Sequence, residues 1–211
     1  MLMAASAQTL PQAPNPLPVH VQSPKIVNSY QWTYRHIDLN KNEETERYTQ
    51  VFESERDGYW TVQWMILSAS DVNRIGTTPE RFESATQSFA DPRLTGHHEP
   101  LKFPLSIGKT WSFKYQYQSK PGSHVDVQQS AVVKGWETVT VPAGTFKTLR
   151  VEHAGWYTAT EGSRRWRGRI SEVYWYAPDA LRVVAKEYQD TRPSGSTWEH
   201  HRDELVDWRW W

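Results

Sequence analysis

The stretch Val132 to Glu152, VVKGWETVTVPAGTFKTLRVE, constrains the fold of this chain more than any other segment. Val139 and Val141 alternate with Thr138 and Thr140; after Pro142-Ala143-Gly144, Leu149 and Val151 alternate with Thr148 and Arg150. A period of two places the apolar residues on one face of an extended strand. Pro142 presets φ at the first turn corner and Gly144 tolerates a positive φ, so the segment reads as a β-hairpin. An antiparallel architecture follows. The hairpin holds no nucleophile, metal-ligand cluster or phosphate loop, and it reads as scaffold, with Trp136 and Phe146 as packing residues.

The same period recurs from Asn28 onward. Tyr30, Trp32 and Tyr34 share one face, as do Trp60, Val62, Trp64 and Ile66, and again Trp111, Phe113, Tyr115 and Tyr117. Such alternation belongs to a sheet covered on one side and wet on the other. Further strands are expected at 45–55, 125–134, 165–177, 181–190 and 197–208, separated by turn signals such as Asp57-Gly58, Pro121-Gly122 and Glu161-Gly162. Thr78-Pro79-Glu80 has the form of a helix start, with Phe82, Ala85 and Phe89 at helical spacing, but strand plus loop is the expectation there. The fold class is therefore all-β: an antiparallel meander of about ten to twelve strands in a strongly curved sheet, open barrel or sandwich.

Residues 28–211 read as one β domain. Asn28 to Arg35 echoes Gly108 to Tyr115, which two related halves, 28–95 and 101–208, would explain. Chance similarity between aromatic strands would explain it equally well. Residues 1–27 read as a residual leader and a Pro-rich linker. Ala5-Ser6-Ala7 fits the small-x-small pattern before a signal-peptidase site, and five prolines follow between Pro11 and Pro24. An ordinary N-terminus rich in small residues is the alternative. A leader would send the protein to the periplasm or outside the cell.

Only 37% of the chain is hydrophobic, but twelve Trp, ten Tyr and six Phe supply bulk for a core. Twenty-four acidic residues balance 24 basic ones. A neutral chain offers no global field for nucleic acid. With no Cys, disulfides, thiol catalysis and thiolate metal sites are excluded. No apolar run approaches the roughly 20 residues of a membrane-spanning helix, so the chain is expected to be soluble or membrane-peripheral.

Three segments stand in a telling order: Pro104 to Trp111 (PLSIGKTW), the Val139-to-Phe146 turn, and Tyr174 to Pro178 (YWYAP). Together they resemble the TapB-like family of bacterial exported, lipoprotein-like proteins of unknown function, over about residues 100–208. The resemblance implies an exported β-rich domain with no established activity, and it transfers no catalytic residues. The chain departs from the lipoprotein pattern in lacking any Cys for lipid attachment.

Candidate ligand-binding residues lie in two places. Arg164-Arg165-Trp166-Arg167-Gly168-Arg169 would set Arg165, Arg167 and Arg169 on one strand face with Trp166 opposite, a row suited to phosphates, sulfates or an anionic lipid headgroup. A solvated edge strand using charge against aggregation is the competing reading. Trp210 and Trp211 close the chain, where ends normally fray, and Trp175 sits in an aromatic run. His97-His98 and His200-His201 are adjacent pairs, whose side chains point to opposite faces of a strand and cannot share one metal. No metal and no cofactor is expected. With no G-x-S-x-G or H-E-x-x-H, no enzyme activity is expected either, although paired carboxylates leave no sequence motif. The expected function is non-enzymatic binding of a lipid, an amphiphile or an envelope protein partner. Two alternatives stand beside it, a carbohydrate-binding or glycoside-active accessory domain and a purely structural assembly module.

Overall fold

The computed structural model describes residues 17–68 and 77–211. The leader reading, centred on Ala5 to Ala7, lies outside the described residues. Among them every regular element is a strand: β1 (Tyr30–Asp38), β2 (Glu43–Arg56), β3 (Tyr59–Ser68), β4 (Thr77–Glu83), β5 (Ser88–Phe89), β6 (Leu94–Gly96), β7 (Thr110–Lys120), β8 (Ser123–Val141), β9 (Gly144–Glu161), β10 (Arg164–Ala177), β11 (Arg182–Thr191) and β12 (Thr197–Trp210). No helix there is long and apolar enough to cross a membrane. The segment that resembled a helix start is β4, a turn and β5, as its strand-plus-loop reading anticipated.

All twelve strands form one antiparallel, curved, unclosed sheet in the order β5-β4-β3-β2-β1-β12-β11-β10-β9-β8-β7-β6. The first and last long strands are neighbours in its middle, with Tyr30 opposite Trp210 and His36 opposite Asp203. Local sequence sets the hairpins. Asp57 and Gly58 both take positive φ, 54° and 78°, the type I′ geometry that matches the twist of flanking strands. Gly155 answers to a different need: a Cβ there would lie 2.2 Å from the Gln128 carbonyl oxygen, so β8 and β9 approach as closely as they do only around glycine.

The two sheet edges, β5 and β6, are spanned by the segment 97–105. Its Leu101 and Phe103 amides donate to the carbonyls of Thr86 and Ala85 in the β4–β5 turn, while His97 bonds back to β7. Leu101 and Leu105 are fully buried and fill the inner face beside Trp111, Phe113, Val151 and Tyr176. Val21, within the Pro-rich N-terminal arm, exchanges two backbone hydrogen bonds with Leu105 and is buried there.

The second apolar cluster explains the hairpin. Trp32, Trp60, Val62, Phe82, Val184 and Leu205 are packed together with Val141 and Phe146 of the β8–β9 tip. The tip folds back across the sheet, and the Ala143 amide donates to the Leu205 carbonyl on β12 at 3.1 Å. Each buried Trp removes on the order of 200 Å² from water, so Trp32 and Trp60, both fully buried, anchor this end of the molecule. On the convex face charge replaces apolar packing. Arg35 and Arg202 share Glu204, and Arg202 and His200 share Glu187, a network joining β1, β12 and β11.

Candidate ligand-binding cavity

Curling so long a sheet encloses a cavity of about 1580 Å³ on its concave face. Aromatic rings from successive strands make its walls, with Tyr48, Trp64, Phe89 and Tyr115 among them, and Val127, Ala159 and Ile170 complete one side. The mouth lies at the β9–β10 and β11–β12 turns. Trp166 and Trp198 line the cavity there while remaining 45% and 60% exposed. Arg164, Arg165, Arg167 and Arg192 border the same opening, Arg192 stacked 3.8 Å over the Trp198 ring. Trp and Arg are side chains suited to a boundary between water and an apolar phase.

Within the walls lies a buried ionic cluster. Glu172, 4% exposed on β10, accepts hydrogen bonds from Gln129 Nε2 at 2.7 Å and the Tyr174 hydroxyl at 2.9 Å, and pairs with Lys186 Nζ at 3.1 Å. Burial alone would raise its pKa. Lys186, with His153, His98 and Gln129, overcomes that and holds the carboxyl at about 2. Lys186 is raised in turn: burial opposes its charge, but Glu172 and the facing Asp203 on β12 outweigh it. His98 lies beside this cluster, hydrogen-bonded to Ser88 at 3.2 Å, and burial pushes it down to about 4. Tyr157 closes over β10 and donates to Asp190 Oδ2 at 2.9 Å.

Arg182, like Asp190, is bonded to a neutral partner. It is 5% exposed, lines the cavity, and has its guanidinium 4.0 Å over the Phe82 ring and 5.1 Å over the Trp32 ring. Its Nη2 donates to the Gln50 side-chain oxygen, whereas Nη1 is buried with no partner. No carboxylate among the described residues pairs with it. Gln87, in the same wall, leaves both its side-chain oxygen and nitrogen unpartnered. Backbone strain marks both places. Gln87 and Leu181, the residue before Arg182, both take φ 56°, a conformation costing roughly 1–3 kcal/mol for a residue other than glycine.

Strand alternation turns the adjacent His200 and His201 to opposite faces, His200 toward Glu187 on the convex side. His201, however, meets His36 of β1, ring centroids 4.5 Å apart, and with Asp203 the two offer ligand atoms within 4.8 Å of one another. The cluster is built as an ion pair. His36 Nδ1 lies 2.9 Å from Asp203, whose hydrogen bond raises the histidine pKa against the effect of burial. His201 is held down to about 4, by burial first and then by the Lys186 charge, which also works against a divalent cation.

The structure scatters the residues singled out from sequence. Arg165 and Arg167 reach the cavity mouth together with Trp166, rather than on the side opposite to it. Arg169 faces away and stacks 4.5 Å over Trp156. Trp175 is 7% exposed, its N–H given to Glu137, and lies under the guanidinium groups of Arg150 and Arg202 on the convex side. Trp210 stacks on Tyr30 and meets Trp208 at a tilt, and the Trp211 amide bonds to Ser29, at the end of β12 opposite the mouth. Arg182, Lys186, Gln129 and Asp203 escaped sequence reasoning. The available signal was parity: Arg182, Lys186 and Asp190 fall in step with Val184 and Tyr188, and Glu172 with Ile170 and Tyr174.

No protein-family model matches the chain, and no curated protein sequence matches it. Its fold is shared with solved structures. A candidate lipoprotein of Parabacteroides distasonis ATCC 8503 superposes with TM-score 0.54 at 12% identity, over 87% of this chain and 96% of its own. A candidate exported protein of Bacteroides fragilis NCTC 9343, described as having a YmcC-like fold, gives TM-score 0.53 at 14% identity, over 90% and 99%. At such identities the likeness is one of fold. Nothing among these matches carries the TapB-like name.

Proposed function

We propose that this protein is an exported binding protein of the bacterial cell envelope whose concave cavity holds an amphiphile, with no chemical step. One observation carries the reading: a cavity of about 1580 Å³, walled by aromatic and aliphatic side chains with a few separated polar groups, behind a mouth of Arg and Trp. Ordinary small-molecule pockets run to roughly 300–1,000 Å³, so there is room for a long apolar body. The envelope location is supported by the shared fold with proteins described as lipoprotein and exported. Glu172 does not serve as the general acid of a glycoside hydrolase, because such an acid must keep its proton near neutral pH and Lys186 holds this carboxyl ionised.

Native mass spectrometry of protein purified from its own envelope fraction tests the proposal. Co-purifying lipid, lost from an Ala159→Trp variant that fills the cavity, is the expected result. A repeatedly empty protein that also takes up no neutral apolar probe such as N-phenylnaphthylamine would overturn it.

A further inference from the structure

Resting on the reading of the cavity as an amphiphile site, we propose that Arg182 is the anchor for an anionic head, so that the ligand class is an acid-headed amphiphile, a long alkyl chain ending in a carboxylate or phosphate. The inference comes from what the other buried charges do. Glu172 has Lys186, and Asp203 has His36. Arg182 has no carboxylate beside it: its partner is the neutral Gln50 side chain, the Tyr34 ring lies near it, and one buried nitrogen has no acceptor, while Asp190 is a buried anion of the same cavity held by the neutral Tyr157 hydroxyl. A guanidinium cannot shed its charge as a lysine can, so burial leaves it in want of an anion.

Geometry narrows what that anion must be. The guanidinium carbon lies 4.0 Å from the centre of the Phe82 ring and 5.1 Å from that of Trp32, so aromatic rings pack against the group. An anion would meet it in the guanidinium plane, along its N–H bonds, where two oxygens of one carboxylate or phosphate fit the fork. Gln87 adds an amide with both polar atoms free in the same wall, able to serve a second oxygen or a neighbouring hydroxyl. The left-handed backbone at Leu181 and Gln87 fits a site held in place for a ligand. The aromatic and aliphatic walls beyond it would take the alkyl chain.

Isothermal titration with dodecanoate, dodecyl phosphate and dodecanol, each below its micellar concentration, tests the anchor. Wild-type protein should bind at least one of the two anions tenfold or more tighter than dodecanol. Which anion leads distinguishes a carboxylate head from a phosphate head. Arg182→Met should bring anion binding down to the dodecanol level and leave dodecanol unchanged. Should Arg182→Met fail to fold, Arg182→Lys carries the test: it keeps charge but loses the planar fork, and should lose threefold or more toward the preferred anion alone. Equal binding of anions and alcohol by the wild type would overturn the anchor and leave the amphiphile cavity standing. Absence of binding by all three would overturn both.

Discussion

The Glu172–Lys186 pair offers the sharpest test of how the cavity wall is held. In Glu172→Gln, Lys186 keeps its charge in a site shaped for an ion pair; in Lys186→Met, the carboxylate is stranded with only Gln129 and Tyr174 as donors. Removing one member of a buried pair costs about 3–5 kcal/mol. An independent route gives the lower end of that range. A carboxyl held at about 2 instead of its ordinary 4.5 contributes about 3 kcal/mol at neutral pH. For a chain of 211 residues that corresponds to a melting temperature lowered by about 6–12 °C in either single variant. The double variant strands no charge and should lose less than either single one, a coupling of about 2–3 kcal/mol in a urea-denaturation cycle. The pH dependence follows from the same pair. The folded state holds this carboxyl below its unfolded value, so the stabilisation is complete above pH 4.5 and is lost as the pH falls toward 2. Glu172→Gln should flatten the stability profile across that window. Single losses below about 1 kcal/mol, or losses that simply add, would refute the claim that the cavity wall depends on this pair.

A higher pH window belongs to His98. Burial holds it near 4 rather than 6.5, so its contribution is present above 6.5 and lost as pH falls through 4; His98→Gln should remove about 2 kcal/mol of the decline in urea stability between pH 7 and 5. Gly155→Ala sets a Cβ 2.2 Å from the Gln128 carbonyl oxygen, and forced separation of β8 from β9 should lower stability by about 3 kcal/mol or more in thermal unfolding. Gly58→Ala, with nothing within 4 Å of its Cβ, should cost only the positive-φ penalty of about 1 kcal/mol.

Local chemistry explains what sequence pattern revealed and what it withheld. Alternation at Trp32/Tyr34, Trp60/Val62 and Trp111/Phe113 reports a buried face directly, and those side chains are indeed interior. The Pro142-Ala143-Gly144 turn reports a hairpin because turn geometry is local. Its tip resting on Leu205 is not local: the contact exists only because β1 and β12 meet in mid-sheet and the long β8–β9 pair curls back. The cavity groups were hidden for a related reason. A charged residue in step with apolar ones, such as Arg182 beside Val184, normally reads as a solvated strand end. It becomes interior when the sheet rolls far enough to enclose its own concave face. Arg165 and Arg167 were conspicuous as a charge run, yet their neighbour Trp166 joins them at the mouth, where simple alternation would have set it apart.

The polar groups of the cavity divide by whether the protein itself satisfies them. Gln129, Tyr174 and Lys186 converge on Glu172, and His36 meets Asp203; these joints tie β1, β8, β10, β11 and β12 across a face that apolar packing leaves hollow. Arg182 Nη1 and the Gln87 amide have no such partner, and each lies at or beside a residue in strained backbone. Unsatisfied buried groups and strain both lower stability, and Arg182 and Gln87 combine the two, whereas Trp64 Nε1 and Asp190 Oδ1, also unpartnered in this cavity, lie within regular strands. Replacing a buried arginine that has no counter-ion by a similarly sized apolar residue removes the cost of keeping its charge out of water. A stability gain in Arg182→Met that accompanied loss of anion binding would therefore assign the cost of this group to ligand recognition. The joints at Glu172 and Asp203 would show the opposite sign, losing stability whether or not a ligand is present.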